Sequence, residues 1–320
     1  MICVAASPSI DTAIEVTRLT PGRIHRPDGH VRVAGGKALN LARSARRLGA
    51  RPLAVALLAE HGGAWIAEQI AREGIDLIAH PVSGEVRCCL SVFDAEGGSL
   101  TQFYERAPSV DADDWRAFAR LAVDECEPGR WFALSGSLPR GTAGDEYAKL
   151  LREAASCGAP TALDTSGPAL GLTLQAGPDL IKVNEAEARE VLDDGRRTNS
   201  GPEPDLGLPA IAEAARSLRE LAGAGERVAI VTRGGQGAVL AGPGNLILSA
   251  RPLGRAPYPV GSGDAFLAGL LAARERGLDW PGALCLGHAA GTANAEIPGA
   301  GVFDPDRVEA LAGLVELDAL

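Results

Sequence analysis

Apolar and polar residues follow two different periods along this chain. Short apolar runs of about four to eight residues are typical of strands, and longer stretches with apolar residues three and four apart are typical of helices. The first apolar run covers residues 2–6, and a helical pattern at 37–48 ends at Gly49. After residue 50, strand and helix patterns succeed one another. This alternation predicts a mostly parallel sheet covered by helices on both faces.

The remaining core elements follow from the same patterns. The predicted strands are 51–58, 131–134, 161–163, 179–183 and 228–232, the last continuing into a hairpin through Leu248. The predicted helices are 64–72, 113–125, 145–156, 185–192 and 208–222, with two long helices after Gly263. Together they predict one α/β domain over residues 1–320, with a three-layer, doubly wound sheet. The polar segment 193–205 is predicted to be a surface loop within it.

Two extended pairs interrupt the core pattern. Residues 12–33 contain β-branched, partly alternating segments, and residues 86–104 have the pattern of a hairpin with its turn at 94–98. These pairs can join into a small sheet of their own. We therefore predict a β lid formed by residues 12–34 and 86–105.

Composition narrows the class of partner. The 320 residues are 46% apolar and carry a net charge of −10, which is typical of a soluble globular protein. An acidic chain is a poor match for nucleic acid or an anionic membrane, so neither is expected as a partner. Six cysteines without CxxC spacing favour reduced thiols, and no apolar run reaches the ~18 residues of a membrane span. A strand directly at the N-terminus, without a basic leader, completes the prediction of a cytoplasmic protein.

The most distinctive polar stretch is the glycine-rich turn PVGSGDAF at residues 259–266, directly before an alanine- and leucine-rich helical pattern. Gly261 and Gly263 lack Cβ, so the turn can aim successive N–H groups at one point in front of a helix N-terminus. Phosphate oxygens suit such a point. Asp264 would repel phosphate unless it takes a proton from an attacking hydroxyl; the alternative is a charge favoured only by the helix dipole.

Polar residues and glycines also follow nearly every predicted strand, where ligands bind in open α/β sheets. These positions are Asp11, 35–40 (GGKALN), 135–139 (SGSLP), 164–167 (DTSG), Lys182, Asn184, Glu185, Glu187 and 232–237 (TRGGQG). Taken singly, each has a structural explanation as a turn residue, a helix cap or a solvated charge, and Arg23, Arg26 and Arg87 can be surface charges. Their recurrence at successive strand ends indicates one ligand site.

Six motifs occur in the order of a known family. They are 7–11 (SPSID), 35–37 with Asn40 (GGK and N), 134–141 (LSGSLPRG), 163–167 (LDTSG), 181–187 (IKVNEAE) and 259–264 (PVGSGD). Through them the chain resembles, over nearly its whole length, the ribokinase-like carbohydrate kinases of the phosphofructokinase-B type. The resemblance is to the branch that holds 1-phosphofructokinase and tagatose-6-phosphate kinase. It implies a ribokinase-like fold and transfer of the γ-phosphoryl group of ATP, with Mg²⁺, to a sugar hydroxyl.

The resemblance also implies roles for single residues. Asp264 would be the catalytic base, and the Gly261, Ser262 and Gly263 amides would form an anion hole. The acceptor would be bound by Asp11, Gly35, Gly36, Lys37, Asn40, Arg87 and Ser137, with Arg23 and Arg26 assisting from the lid. The nucleotide would contact Lys182, Asn184, Thr232, Gly234, Gly237 and, at its adenine end, Asn294. Asn184 and Glu187 would position Mg²⁺ through water, and the lid would close over the sugar and could form a homodimer contact.

Three positions depart from the phosphosugar branch. Ala38 replaces a glycine, and Cys89 and Tyr104 replace asparagines that face the sugar. A phosphorylated ketohexose (fructose 1-phosphate, tagatose 6-phosphate or fructose 6-phosphate) is the first hypothesis for the acceptor. An unphosphorylated sugar or a nucleoside is the second. A non-catalytic sugar or nucleotide sensor is the third, against which Asp264 argues because a binder gains nothing from an anion beside a phosphate.

Overall fold

The computed structural model describes residues 1–192, 207–254 and 256–320, so the loop predicted at 193–205 lies outside the described residues. The strands in chain order are β1 Ile2–Ala5, β2 Ser9–Val16, β3 Val31–Gly35, β4 Leu53–His61, β5 Asp76–Glu85, β6 Arg87–Asp94, β7 Ser99–Tyr104, β8 Phe132–Ser135, β9 Thr161–Asp164, β10 Leu180–Asn184, β11 Val228–Thr232, β12 Ala238–Ala241, β13 Ile247–Ala250 and β14 Leu317–Ala319. The helices are α1 Lys37–Arg47, α2 Gly63–Arg72, α3 Ala112–Asp124, α4 Glu146–Ser156, α5 Pro168–Leu174, α6 Glu185–Leu192, α7 Leu208–Leu221, α8 Ser262–Glu275, α9 Trp280–Ala295 and α10 Pro305–Ala312. Within these ranges no helix has the length and apolar character needed to cross a membrane.

A ten-stranded sheet forms the centre of the molecule, in the order β14-β13-β12-β11-β10-β9-β8-β1-β4-β5. From β11 to β5 all neighbours are parallel, and β12 to β14 add an antiparallel edge. Strands β1, β8, β9 and β11 are almost wholly buried, because helices cover both faces of a parallel sheet. The strand order reverses at β1, which has β8 on one side and β4 on the other. Such a switch point opens a crevice at the carboxyl ends of the strands.

The predicted small sheet is present and has the order β3-β2-β6-β7. The two predicted pairs are both antiparallel, and β2 and β6 join them in parallel register. We call these four strands the lid sheet. Strand β3 starts only at Val31, because the preceding segment holds Pro21, Gly22, Pro27 and Gly29, which favour turns and remove backbone donors. The extended pattern predicted over residues 12–33 is therefore interrupted by a loop between β2 and β3.

Four elements were not predicted: β5, α5, α10 and β14. Strand β5 lies at the sheet edge, contains Pro81 and Gly84 and exposes many of its side chains, so it lacks the apolar pattern of a core strand. Helices α5 and α10 are short, with seven and eight residues. The α/β class and the mostly parallel sheet are as predicted.

Candidate active site

The glycine turn has the conformation that the sequence requires. Gly261, with φ of 81°, precedes α8, and a Cβ there would lie 2.6 Å from Cβ and 2.7 Å from Cα of Ala300. Only glycine fits this position. A Cβ on Gly263 would lie 2.9 Å from the Nζ of Lys182. The N-terminus of α8 and the Lys182 ammonium therefore face the same small space, which suits an anion.

The backbone donors of this turn differ from the expectation. The Ser262 N–H donates to the carbonyl oxygen of Pro259 at 3.1 Å, so it is already used in closing the turn. Among the described residues, nothing accepts a hydrogen bond from the N–H groups of Gly261, Gly263 and Asp264. The N–H groups of Gly261, Gly263 and Asp264 are therefore available to an anion, whereas the predicted Ser262 N–H is not.

Asn294 lies behind the turn. Its fully buried side chain donates to the Val260 carbonyl at 2.8 Å and to the Ser262 hydroxyl at 3.1 Å, and accepts from the Gly301 N–H at 2.7 Å. All of these partners are protein groups. The side chain holds the turn in place, and its position at the adenine end stays a prediction.

Asp264 is buried in the first turn of α8, with 6% of its surface exposed. Asn40 donates from Nδ2 to its Oδ2 at 2.9 Å. Burial and the charge of Asp164 raise the pKa of Asp264 to about 7, although Lys37, Lys182 and the Asn40 hydrogen bond act in the other direction. A carboxyl group that titrates near neutral pH can accept and release a proton under physiological conditions, as a general base must.

Asp164, at the end of β9, joins two lysines in the floor of the site. Its two carboxylate oxygens lie 2.7 Å from the Nζ atoms of Lys37 and Lys182. Burial opposes ionisation of Asp164, but the two ammonium groups outweigh it and hold its pKa below the ordinary value. Lys182 is only 3% exposed, so it does not lie on a solvated edge. In the sequence, Asp164 is marked only by its place after a strand and within the motif at 163–167, and neither indicates that it pairs with two lysines.

Asn184 and Glu187 form a reciprocal pair at the start of α6. The Asn184 N–H donates to Glu187 Oε2 at 2.8 Å, and the Glu187 N–H donates to Asn184 Oδ1 at 2.9 Å, as in a capping box. The other Glu187 oxygen lies 3.5 Å from Lys37 Nζ. No cluster of three or more metal-binding side chains exists in the described part of the chain. Mg²⁺ commonly keeps several waters and binds substrate phosphates, so this pair fits a contact through water rather than a protein cage.

A cavity of about 350 Å³ opens beside the glycine turn. It lies between the loop after β11 and helix α9, and it is lined by Thr232, Gly234, Gly237, Ser262, Gly263, His288 and Thr292 among others. A Cβ on Gly237 would lie 2.1 Å from the Ala250 carbonyl oxygen, so this loop also requires glycine. His288 lies in the wall of this cavity, and burial lowers its pKa. The three residues assigned to the nucleotide site on this loop do share one cavity.

A second, smaller pocket lies at Asp11 under the lid sheet. A Cβ on Gly35 would lie 2.1 Å from Asp11 Cγ, so the glycine allows the carboxylate to approach the backbone of β3. The Ser9 hydroxyl donates to Asp11 at 2.6 Å. Cys89 and Tyr104 line this pocket together with Asp11. Burial raises the pKa of the Cys89 thiol to about 11, so an uncharged thiol faces the pocket.

Five predicted acceptor residues remain. Gly36 has a φ of 95°, and a Cβ there would lie 2.9 Å from the Ser7 carbonyl oxygen. The other four are placed differently from one another. Arg87 is half-buried beside Ser9; it donates from Nη2 to the Ser7 carbonyl at 3.0 Å, and its buried Nε has no hydrogen-bond partner. Arg23 and Arg26 are exposed on the loop between β2 and β3, and their side chains form no hydrogen bond or ion pair with described residues. Ser137 is exposed, and its carbonyl accepts from Tyr147. None of these four residues lines the Asp11 pocket.

Comparisons with known proteins show the family and the fold. The model of a family described as pfkB family carbohydrate kinase matches residues 2–307. A 1-phosphofructokinase from Rhodobacter capsulatus is 32% identical over 318 residues, which cover 99% of this chain and 97% of that protein. Among solved structures, phosphofructokinase-2 from Escherichia coli in complex with substrates and products has a TM-score of 0.87, 23% identity and 98% coverage of both chains. A ribokinase from Arabidopsis thaliana complexed with ribose and ATP has a TM-score of 0.71 and 19% identity and covers 97% of this chain and 98% of its own. The predicted ribokinase-like fold is confirmed.

Proposed function

Because the chain belongs to the pfkB family of carbohydrate kinases and is thus an ATP-dependent sugar kinase, we propose that its acceptor is a phosphorylated ketohexose. The candidates are fructose 1-phosphate, tagatose 6-phosphate and fructose 6-phosphate. The observation that carries the catalytic part of this proposal is one buried carboxyl group, Asp264, with its pKa at about 7 beside the free N–H groups of a helix N-terminus.

Each reacting charge has a partner in this proposal. Asp264 accepts the proton of the acceptor hydroxyl while the hydroxyl oxygen forms the new bond to the γ-phosphorus. The bond between the γ-phosphorus and the β–γ bridging oxygen breaks, and ADP leaves with that electron pair. The N–H groups of Gly261, Gly263 and Asp264 and the Lys182 ammonium stabilise the charge on the phosphoryl oxygens. Mg²⁺ would neutralise nucleotide phosphates, with Glu187 and Asn184 holding its water ligands. Asp264 afterwards releases its proton to solvent.

Arg87 supports a phosphorylated acceptor. Its buried Nε has no partner, and a buried donor without an acceptor is destabilising unless a ligand supplies one. Along the inward face of β6, Arg87 is followed by Cys89 and Ser91, so the guanidinium lies at one end of the row that passes Asp11. A phosphate attached to the acceptor would reach Arg87 while the reacting hydroxyl lies near Asp264.

We expect Arg87→Met to raise KM for a phosphorylated ketohexose about 10–100-fold, because a hydrogen bond to a charged group contributes roughly 1.5–3 kcal/mol. Turnover of free fructose should change little. ADP release on a panel of phosphorylated sugars, free sugars and nucleosides measures both effects. Arg32→Met is the matched control, since Arg32 is exposed on β3 and bonds only to Thr12. If Arg87→Met lowered activity on free fructose by the same factor, Arg87 would have a structural role instead of binding the phosphate.

A second candidate acceptor, an unphosphorylated sugar or a nucleoside, is favoured by one observation. A cavity of about 500 Å³ adjoins the Asp11 pocket, and its lining includes Phe93, Tyr258, Glu15 and Asp28. The Phe93 and Tyr258 rings lie 5.3 Å apart, and Tyr258 donates to Glu15 at 2.7 Å. Acidic and aromatic walls suit an uncharged ring better than a phosphate. Turnover confined to nucleosides or free sugars in the panel would replace the first proposal with this one.

We also propose that the lid sheet forms a homodimer contact. Leu90 and Phe103 are cross-strand partners on the face opposite Asp11, and Phe103 is 58% exposed. An apolar face of this kind is typical of an interface between subunits. We expect the wild type to be dimeric at micromolar concentration and Phe103→Glu to shift it toward monomer, as measured by size exclusion with light scattering. Gln102→Glu, which adds the same charge on the other face of β7, is the control. A monomeric wild type would contradict the contact.

A further inference from the structure

The largest fully buried side chain in the described part of the chain is a charged one. Arg43, on α1, is 1% exposed and lies one turn after Asn40. Its Nε donates to Glu73 Oε1 at 2.8 Å, and its terminal nitrogens donate to three further oxygens. No motif in the sequence singled it out.

One contact of Arg43 leads to Asp264 through the Asn40 side chain. Its Nη1 donates to Asn40 Oδ1 at 3.1 Å, and Asn40 in turn donates from Nδ2 to Asp264 Oδ2 at 2.9 Å. Arg43 has only donors, so it fixes which end of the Asn40 amide faces it. The other end, the NH₂ group, is then held toward the carboxylate. If the amide turned over, its oxygen would face Asp264 and repel the ionised form.

Two other contacts hold the backbone on both sides of the site. Nη2 donates to the carbonyl oxygen of Ala34 at 2.5 Å, directly before Gly35, and Nη1 donates to the carbonyl oxygen of Ala300 at 3.0 Å. Gly261 packs against Ala300 so closely that a Cβ would lie 2.6 Å from the Ala300 side chain. One guanidinium therefore binds both the backbone directly before Gly35 and the backbone of Ala300, against which the glycine turn packs.

A buried charge needs such a reason. Burying an ion pair costs desolvation energy that apolar residues of the same volume would avoid, and the second oxygen of Glu73 is itself buried without a partner. A guanidinium differs from any apolar residue in offering several donors in a rigid fork. An apolar or a more flexible side chain at position 43 would not make all four of these hydrogen bonds at once.

We propose that Arg43 is a positioning residue of the phosphoryl transfer, acting through the Asn40 amide to hold Asp264 as a proton acceptor. The proposal rests on the role of Asp264 as base given above. Arg43 does not touch the reacting atoms. The other charged groups around Asp264 are Asp164 from β9, Lys37 from α1 and Lys182 from β10, and none of them contacts Arg43.

The test is the pH dependence of kcat. Arg43→Lys frees the Asn40 amide, and the lost hydrogen bond to the carboxylate should move the acidic limb of the profile about one pH unit higher. At pH 6.5 this corresponds to a loss of kcat of about tenfold, recovered in large part at pH 8.5. Asn40→Ala should move the limb by a similar amount, and Arg43→Lys added to Asn40→Ala should move it no further.

Arg47→Lys is the matched control. Arg47 lies on the same helix and donates from Nη1 to the Phe303 carbonyl at 2.9 Å without contacting Asn40. It should lower thermal stability slightly and leave the acidic limb in place. If Arg43→Lys folds and loses kcat equally at all pH values, it has only a structural role and the proposal is overturned.

If Arg43→Lys fails to fold, Asn40→Ala tests the proposal. An acidic limb that does not move in Asn40→Ala would show that Asn40 does not affect the proton acceptor, and the proposal would be overturned. If Asp264 is not the general base, the Asp264→Asn variant should remain active, which distinguishes this outcome from a failure of the Arg43 proposal. An inactive Asp264→Asn variant together with an unmoved limb rejects the role of Arg43 alone.

Discussion

Asp264→Asn is expected to lower kcat by about 10²–10⁴-fold, the usual contribution of a general base, while KM for both substrates changes little. The amide keeps the size of the side chain and can still accept from Asn40, but it cannot take the proton of the acceptor hydroxyl. Steady-state ADP release at saturating substrates measures the effect. Activity within a few-fold of wild type would remove Asp264 from its role as base.

The pH dependence follows from the same group. With the pKa of Asp264 at about 7, the wild-type kcat should fall about tenfold per pH unit well below pH 7, because only the ionised form accepts a proton. Burial and the charge of Asp164, which raise this pKa, also affect stability. Between pH values near the ordinary carboxyl pKa and about pH 7, Asp264 is protonated in the native state and ionised in the unfolded state. The stability that Asp264 contributes in its protonated form is therefore lost as the pH rises through this range.

The same substitution therefore separates stability from activity. Asp264→Asn should melt at a higher temperature than wild type at pH 8, where the buried carboxylate is ionised, and the difference should shrink toward pH 4. Thermal melts at both pH values check this. A variant that is inactive and less stable at pH 8 would indicate a damaged fold rather than a missing base.

Gly263→Ala is expected to lower kcat about 10²-fold without unfolding the protein, because displacing a reacting group by about 1 Å costs this much. The added methyl group would lie 2.9 Å from Lys182 Nζ, in the space between the helix N-terminus and the ammonium. Gly263 is in α8 and does not have a positive φ. Since alanine favours the helical state over glycine, thermal stability should be unchanged or slightly higher.

Two other glycines make this test specific. Gly171→Ala, in α5 with nothing within 4 Å of the added Cβ, should leave kcat unchanged. Gly261→Ala should lose stability as well as activity, because it combines a φ of 81° with a Cβ 2.6 Å from Ala300. Wild-type kcat in Gly263→Ala would mean that the transferred phosphoryl group lies elsewhere.

The local chemistry of the site was predictable from the sequence. Gly261 and Gly237 have positive φ values, a local constraint that a glycine-rich turn in the sequence indicates, whereas the close approaches to Ala300 and Ala250 appear only in the structure. Parallel strands place their carboxyl ends on one edge, so the order of motifs predicts that Lys182 and Thr232 lie at one crevice. That they serve one site together with Asp11 stays a prediction. Strand β5 escaped prediction because an edge strand needs no apolar alternation.

The partners of each charged group were not predictable. In the α1 sequence, Arg43, Arg46 and Arg47 look alike, yet only Arg43 is fully buried and reaches Asn40. The hydrogen bonds by which Asn294 supports the glycine turn are not indicated by the sequence. Which contact a long or polar side chain makes depends on which elements pack around it, and that information is spread over the whole chain.

By itself, the sequence determined the α/β fold, the lid sheet and the family, because these depend on periodicity and short motifs. Only the tertiary structure decided that Asn40 points at an acid 224 residues away, that Asp164 joins two lysines, and that Asp264 titrates near pH 7. The physical reason is that pKa values and hydrogen-bond partners are set by desolvation and distance, and both exist only once the chain is packed.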